Sequence, residues 1–150
     1  MPDIVPPEIR SQMMSGIHGK DTKTEVLIRK ALHRKGFRYR QNVKSLPGKP
    51  DLVFPKYRAI IQINGCFWHG HGCYLFKWPS THSEFWYKKI SGNQDRDAKN
   101  LIALEKLGWR VLTIWECALK GKLKIPFEIL IEQVCTWLIK DQGNSEILHK

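Results

Sequence analysis

The chain has 150 residues, of which 42% are hydrophobic, so its composition supports a single folded domain with a real core and argues against global disorder. Its 25 Lys and Arg residues outnumber its 14 acidic residues and give a net charge of +11, which favours nucleic acid as a partner over an anionic membrane surface. The sequence contains no apolar run of 18 residues and no signal-peptide pattern, so we expect a cytoplasmic protein whose four cysteines are metal ligands or core residues rather than disulfides.

The first 20 residues are rich in proline and then polar, a composition that predicts an arm ordered only on a partner. A helix is predicted next, because Thr22 and Glu25 form a capping-box pattern, and Gly36 is expected to end it. Residues 20–58 contain twelve Lys or Arg and three acidic residues, so most of the positive charge lies here. Such charge supplies salt-dependent affinity for a phosphate backbone, and a solvated basic face is the alternative.

Residues 37–41 alternate apolar and basic side chains, as an edge strand does, and two further strands follow them. Asp51 opens the first of these, which runs to Phe54, and residues 58–64 form the second. A carboxylate that opens one hairpin strand, with polar residues near the end of the next, is similar to the core of PD-(D/E)xK nucleases. In that core the carboxylate holds Mg²⁺ against the scissile phosphate.

Residues 65–73 (Gly-Cys-Phe-Trp-His-Gly-His-Gly-Cys) combine thiols and imidazoles with three glycines that let the backbone fold tightly. Cys66, His71 and Cys73 offer the sulfur and nitrogen ligands that suit Zn²⁺. Cys117 is the expected fourth ligand of a structural zinc site. The alternative is that these cysteines are small, buried apolar residues.

A second long helix is predicted from Ser83, with an interruption at Gly92 and a resumption over residues 93–107. Asp97 then lies in the first turns of the resumed helix, where the helix dipole favours acids. The apolar residues 109–115 predict a central strand. A closing amphipathic helix precedes a tail at residues 141–150, and its apolar positions are Phe127, Leu130, Ile131, Val134, Trp137 and Leu138, with Cys135 read as a core residue.

Several separated motifs together resemble the very short patch repair endonuclease family, the bacterial enzymes that nick DNA at T·G mismatches. The resemblance implies a single-domain α/β fold of the restriction-endonuclease type, a mixed central sheet flanked by helices with a structural zinc site. It also implies a DNA-clamping arm at residues 1–20, an endonuclease domain at 21–140 and a C-terminal tail at 141–150. The motifs are residues 47–51, 65–69, 73–77, 84–86 and 107–119, and the match extends over roughly residues 8 to 140.

Five positions of this sequence are expected to act in catalysis, namely Asp51, His69, Asp97, Glu25 and Asn64. Asp51 would be the principal Mg²⁺ ligand, and the main-chain carbonyl of Ile63 is the expected second ligand, from its position along the partner strand. His69 would act as general base, with Asp97 fixing its tautomer. Glu25 would hydrogen-bond to water bound by the Mg²⁺ ion without contacting the ion itself, which is compatible with its capping-box role.

Four apolar side chains would act on the DNA: Met14 in the arm as a minor-groove wedge, and Phe67, Trp68 and Trp86 as wedges beside the mismatch. A wobble T·G pair stacks less well than a matched pair, so separating it costs less free energy. The alternative for the aromatic residues is ordinary core packing.

The sequence departs from both patterns at the end of the second hairpin strand. Typical PD-(D/E)xK nucleases carry an acid and a lysine at the positions of Gln62 and Asn64, and the mismatch-nicking family commonly has a histidine at the latter. Asn64 can donate a hydrogen bond to phosphate but cannot carry a proton. A nicking or restriction-type nuclease without mismatch preference is therefore one alternative function, and a non-catalytic, zinc-stabilised DNA-binding module is another.

The partner expected from the resemblance is double-stranded DNA with a T·G mismatch left by deaminated 5-methylcytosine. A companion cytosine-5 methyltransferase system and mismatch-repair proteins are the further expected partners. A monomer would suffice, because a single-strand nick requires only one active site.

Overall fold

The computed structural model describes residues 23–150, and five short strands lie within them. They lie side by side in chain order in one mixed sheet. The first three strands pair antiparallel, whereas the third, fourth and fifth run parallel to one another. The strands are β1 (Arg40–Gln41), β2 (Leu52–Phe54), β3 (Ala59–Asn64), β4 (Arg110–Trp115) and β5 (Ser145–Ile147).

Helices make the crossovers that parallel strands require. The long helix α2 connects β3 to β4, and helices α3 and α4 connect β4 to β5. A single turn of 3-10 helix separates the antiparallel strands β2 and β3. The bounds are α1 (Lys23–Arg34), α2 (Ser83–Lys106), α3 (Glu116–Leu119), α4 (Phe127–Lys140) and the 3-10 turn Pro55–Tyr57.

The sheet has a hydrophobic core on each face, so the described part of the chain is a three-layer α/β structure. On one face, helices α1 and α4 pack buried side chains such as Leu32 and Leu130 against the sheet. On the other face, Leu104 of α2 packs against Val53, Ile60 and Val111. This arrangement confirms the predicted mixed sheet flanked by helices.

The predicted interruption of the second helix is wrong, because α2 runs unbroken through Gly92. A side chain at Gly92 would meet only the Arg96 guanidinium, at 3.7 Å. One glycine weakens a helix by about 1 kcal/mol but does not end it when helical turns continue on both sides, as they do here. Asp97 therefore lies in the middle of α2 and not in a first turn, so the helix dipole does not account for it.

The C-terminal segment also differs from its prediction as a tail. Residues 145–147 form β5, which pairs with β4, and Ile147 is buried. The added strand covers an edge of β4 whose backbone groups would otherwise be unpaired. The predicted edge strand at 37–41 is shorter than expected and is limited to β1.

Three sequence predictions lie outside the described residues: the arm at 1–20, its wedge residue Met14, and the Thr22 half of the capping box. Among the helices of residues 23–150, none combines the length and the apolar character needed to cross a membrane.

Candidate active site and metal centre

Asp51 precedes β2 at the polar end of the sheet, and its carboxylate is held by the neighbouring strand. Its Oδ2 accepts a hydrogen bond of 2.7 Å from the Ile63 main-chain N–H. Burial raises the pKa of Asp51 to about 6; the nearby Glu25 adds to this effect, while the Ile63 hydrogen bond, His69 and Arg29 oppose it. The site therefore holds a carboxylate whose negative charge is only partly compensated, which favours a bound cation.

Two carboxylates approach one another at this point. Glu25 projects from the first turn of α1 and is only 8% exposed, and together with Asp51 and Arg29 it lines a small cleft beside Ile63. In an extended strand the N–H and C=O of one residue point to the same side, so the Ile63 carbonyl also faces Asp51. Carboxylate and carbonyl oxygens are the ligands that Mg²⁺ prefers, so this donor set fits the predicted magnesium site.

His69 and Asp97 form a hydrogen-bonded pair across the loop that follows β3. His69 Nδ1 lies 2.5 Å from Asp97 Oδ2, and the two side chains are 25% and 38% exposed. A carboxylate at this distance places the proton on Nδ1 and leaves the lone pair of Nε2 available. The arrangement gives the geometry of an oriented general base.

Four of the predicted catalytic residues, Asp51, Asn64, His69 and Asp97, line one open cleft of about 180 Å³ at the end of the sheet. Glu25 lines only the small cleft described above, which shares Asp51 and Ile63 with this one. Asp51, just before β2, lines the open cleft with Ile63 and Asn64 of β3. His69, from the loop after β3, and Asp97, from α2, also line it. Sequence reasoning missed two further lining residues, Lys49 and Asn100. Lys49 gave a weak signal as a basic residue two positions before Asp51, whereas Asn100 gave none. The remaining lining residues are Gly48, Pro50 and Gln62.

The four predicted zinc ligands come together, although Cys117 is distant from the others in sequence. One ligand atom from each of Cys66, His71, Cys73 and Cys117 lies within 4.8 Å of all the others. The His71 Nδ1 atom is 3.5 Å from Cys66 Sγ and 3.7 Å from Cys117 Sγ. Tetrahedral zinc, with bonds of about 2.3 Å to sulfur and about 2.0–2.1 Å to nitrogen, requires a sulfur–nitrogen separation of about 3.6 Å. The cluster therefore fits Zn²⁺.

The surroundings of the cluster support a bound cation. Burial raises the pKa of the Cys66 and Cys117 thiols, so a cation is needed to hold them as thiolates. Main-chain N–H groups point at both sulfurs, from Cys117 to Cys66 Sγ at 3.3 Å and from His149 to Cys117 Sγ at 3.4 Å. The His71 ring stacks on Trp115, with the centroids 4.0 Å apart and the planes nearly parallel.

Residues 65–73, the candidate metal-binding loop, carry three of the four ligands of the cluster. This metal-binding loop also positions His69, which lies between Cys66 and His71. The loop is fixed on α2 by a 2.7 Å hydrogen bond from Asn93 Nδ2 to the Trp68 carbonyl. Gly70 has a φ of +59°, and a Cβ atom there would lie 2.7 Å from Ile90 Cγ2, so glycine allows the close approach. A zinc ion in the cluster would therefore stabilise the position of His69 without taking part in its chemistry.

The three predicted wedge aromatics form one cluster on the same loop and the start of α2. The Phe67 ring lies 5.3 Å from both Trp68 and Trp86, and those two are 5.7 Å apart. Phe67 and Trp86 are partly exposed, but Trp68 is only 6% exposed and packs behind them. In this conformation Trp68 packs behind the other two rings, and the wedge role of all three stays a prediction.

Comparison with known proteins identifies the family. The family described as DNA mismatch endonuclease Vsr matches residues 2–75 of the chain. The chain is 42% identical over 147 residues to DNA mismatch endonuclease Vsr of Escherichia coli, which covers 98% of the chain and 94% of that protein. The chain belongs to the Vsr family of DNA mismatch endonucleases.

Nicking enzymes are also similar to this Vsr family member. It is 49% identical over 122 residues to the type II nicking enzyme V.NmeAIP of Neisseria meningitidis, covering 81% of the chain and 87% of that enzyme. It is 42% identical over 119 residues to the type II nicking enzyme V.XorIIP of Xanthomonas oryzae pv. oryzae, covering 79% and 88%. These findings confirm the family resemblance stated from the sequence motifs and the prediction of a DNA endonuclease.

Proposed function

We propose that the protein nicks one strand of duplex DNA beside the thymine of a T·G mismatch, by Mg²⁺-dependent hydrolysis of a phosphodiester, and so starts very short patch repair. The observation that carries the proposal is the convergence of Asp51 and the His69–Asp97 pair on one cleft. A paired imidazole and a buried carboxylate supply the proton acceptor and the cation ligand that phosphodiester hydrolysis requires.

Asp51 and the Ile63 carbonyl would hold the magnesium ion, and Glu25 would accept hydrogen bonds from its water ligands. When bound, Mg²⁺ would neutralise the charge that develops on the phosphate oxygens and on the leaving oxygen. The Ile63 N–H keeps Asp51 Oδ2 in place, so the other carboxylate oxygen is available to the cation. Arg29 beside Glu25 limits the repulsion between the two acids.

His69 would activate the attacking water. Its Nε2 takes a proton as the water oxygen bonds to phosphorus, and the bond from phosphorus to the leaving oxygen breaks. Asp97 stabilises the imidazolium that results and keeps the ring oriented. The leaving oxygen takes its proton from solvent, because the cleft is open. Asn64, on the cleft wall, donates a hydrogen bond to a phosphate oxygen.

Recognition of the mismatch would rest on Phe67 and Trp86, the partly exposed rings, with Trp68 packed behind them. Inserting apolar rings into a base step unstacks it, and a wobble pair loses less stacking than a matched pair. The exposed lysines Lys44 and Lys49, on the segment that leads to Asp51, would bind the phosphate backbone and make the affinity salt-dependent.

The test is strand-resolved cleavage, in Mg²⁺ buffer, of duplexes that are identical except at one base pair. That pair is T·G, another mismatch, or the correctly paired C·G or T·A. We expect a single nick beside the mismatched thymine, and none after Asp51→Asn substitution. Equal nicking of the C·G duplex would favour a nicking nuclease without mismatch preference, which the 49% identity to a type II nicking enzyme keeps as the second candidate. Binding without cleavage of any duplex would favour a non-catalytic zinc-stabilised module.

In the cell the proposed substrate arises where 5-methylcytosine is deaminated. A companion cytosine-5 methyltransferase and the mismatch-repair proteins are therefore the proposed functional partners. One cleft per chain is enough for a single-strand nick, so we propose that the protein acts as a cytoplasmic monomer on chromosomal DNA.

A further inference from the structure

Two aromatic side chains outside the wedge cluster lie against each other, are exposed to water and are not used by the proposed mechanism. A third exposed ring, Phe85, packs on Trp86 of the wedge cluster instead. Trp78, in the loop before α2, is 52% exposed, and Tyr87, in the first turns of α2, is 62% exposed. Their ring centroids are 5.8 Å apart and their planes are inclined by 34°, so they form one surface. Large apolar side chains exposed together mark an interaction site more often than isolated ones do.

This aromatic platform (Trp78 and Tyr87) is continuous with the proposed DNA-binding surface. Phe76 connects the two, with its ring 4.9 Å from Trp78 and 6.0 Å from Phe67. Phe67 in turn lies in the metal-binding loop that positions His69. The platform is therefore joined to the wedge rings through Phe76, which contacts both.

Charge next to the platform suits a polyanion. Lys77 precedes Trp78 in the sequence and Lys88 follows Tyr87, and both lysines are exposed. Glu84 is the acidic residue nearest in sequence, in the first turn of α2. Aromatic rings flanked by exposed cations are the arrangement by which proteins bind unpaired nucleotides, with the bases stacked on the rings and the phosphates near the cations. An apolar protein surface would gain nothing from these lysines.

We infer that Trp78 and Tyr87 form a stacking site for a nucleobase that has left the helical stack beside the mismatch. This inference rests on the proposed function, since the wedge rings must first separate a base step to release such a base. The platform then supplies the stacking that the released base has lost. The distorted complex is stabilised, and the chemistry in the cleft is unchanged.

Photocrosslinking tests the contact directly. Duplexes with one T·G mismatch carry a single 5-iododeoxyuridine at successive positions around the mismatch, and they are irradiated with the zinc-loaded protein in buffer without Mg²⁺. We expect, at one or two of these positions, a crosslink that peptide sequencing maps to Trp78 or Tyr87. Crosslinks restricted to Phe67 and Trp86, or to residues outside the aromatic cluster, would overturn the inference.

Paired substitutions distinguish stacking from general apolar contact. The variant with Trp78→Leu and Tyr87→Leu retains apolar side chains but loses the rings, and we expect it to bind the T·G duplex about tenfold more weakly. Its single-turnover nicking rate at saturating protein should equal that of the wild type. Ile139→Ala, at a side chain that is 63% exposed on α4, is the control and should leave the affinity unchanged. Wild-type affinity in the leucine variant would refute the platform.

The same experiments keep this inference separate from the proposed function. Wild-type nicking of the T·G duplex but not of the C·G duplex tests the mismatch endonuclease and does not depend on the platform. Crosslinking and affinity are measured without Mg²⁺ and do not depend on nicking. The platform can therefore fail while the endonuclease stands, and the reverse can also be observed.

Discussion

Replacing Asp51 by asparagine should remove the activity and at the same time make the metal-free site more stable. Asparagine has nearly the same shape, and its side-chain oxygen can still accept the hydrogen bond that Ile63 donates to Asp51. The variant lacks only the negative charge. That charge is costly in the folded protein because it is buried and lies near Glu25.

The pKa of Asp51 gives the size of the effect. It rises from an ordinary value of 3.8 to about 6. Each tenfold change in proton affinity is worth about 1.4 kcal/mol, so the ionised form costs about 3 kcal/mol at most. The folded state binds the proton more tightly than the unfolded state, so stability falls as pH rises from about 4 to about 6. The full cost is present above that window, and about half of it remains at about pH 5.

Thermal unfolding of the zinc-loaded proteins without Mg²⁺ measures this cost. At about pH 7.5 we expect the Asp51→Asn variant to be more stable by about 1 to 3 kcal/mol, which for a chain of this length corresponds to roughly 3 to 10 °C in Tm. The difference should fall to about half at about pH 5. Asp95→Asn, which removes an exposed charge from α2, is the control and should change little.

Magnesium reverses the comparison, since a ligand stabilises the state that binds it. Adding Mg²⁺ should raise the Tm of the wild type and leave that of the Asp51→Asn variant unchanged. A variant no more stable than the wild type at about pH 7.5 would refute the view that Asp51 carries a buried charge that is only partly compensated.

Three further substitutions test other parts of the site. Asp97→Asn should lower the nicking rate by roughly two orders of magnitude or more without weakening DNA binding, because His69 loses its oriented tautomer; single-turnover kinetics with a binding assay would decide. Cys73→Ala should lower the Tm and the zinc content, which we expect to be about one ion per chain in the wild type, whereas Cys135→Ala should keep the metal, as elemental analysis would show. Gly92→Ala should stabilise the protein by roughly 0.5–1 kcal/mol in denaturant titration with full activity retained, and a loss of stability would contradict the open surroundings seen at this position.

Local sequence signals predicted those elements whose stability depends on near neighbours. The apolar, β-branched residues of β3 and β4 form strands close to the predicted bounds, and the apolar stripe of α4 is buried as its period indicates. Gly92 misled the prediction because a glycine that weakens a helix does not end it when the flanking residues propagate it. The strand β5 was missed because its residues are polar and become a strand only by pairing with β4.

In the candidate site, too, features that depend on residue type could be predicted from the sequence, and features that depend on tertiary contacts could not. Ligand types alone predicted the metal-ligand cluster, because thiols and imidazoles crowded into nine residues are typical of metal sites. The pairing of His69 with Asp97, by contrast, depends on how the loop after β3 lies on α2. The exposure of Trp78 and Tyr87 could not be predicted either, because buried and exposed aromatic residues have the same sequence pattern.

The sequence by itself determined which chemistry is available: an acid just before a strand, cysteine and histidine residues able to bind a metal, a further histidine (His69) and a strongly basic composition. Those properties belong to residue types and short spacings. The tertiary structure decided which of these groups meet, since Asp51, His69 and Asp97 come from three separate segments and share a cleft only after the sheet and α2 pack together. It also decided that the Asp51 carboxylate is buried, and burial is the physical cause of its raised pKa.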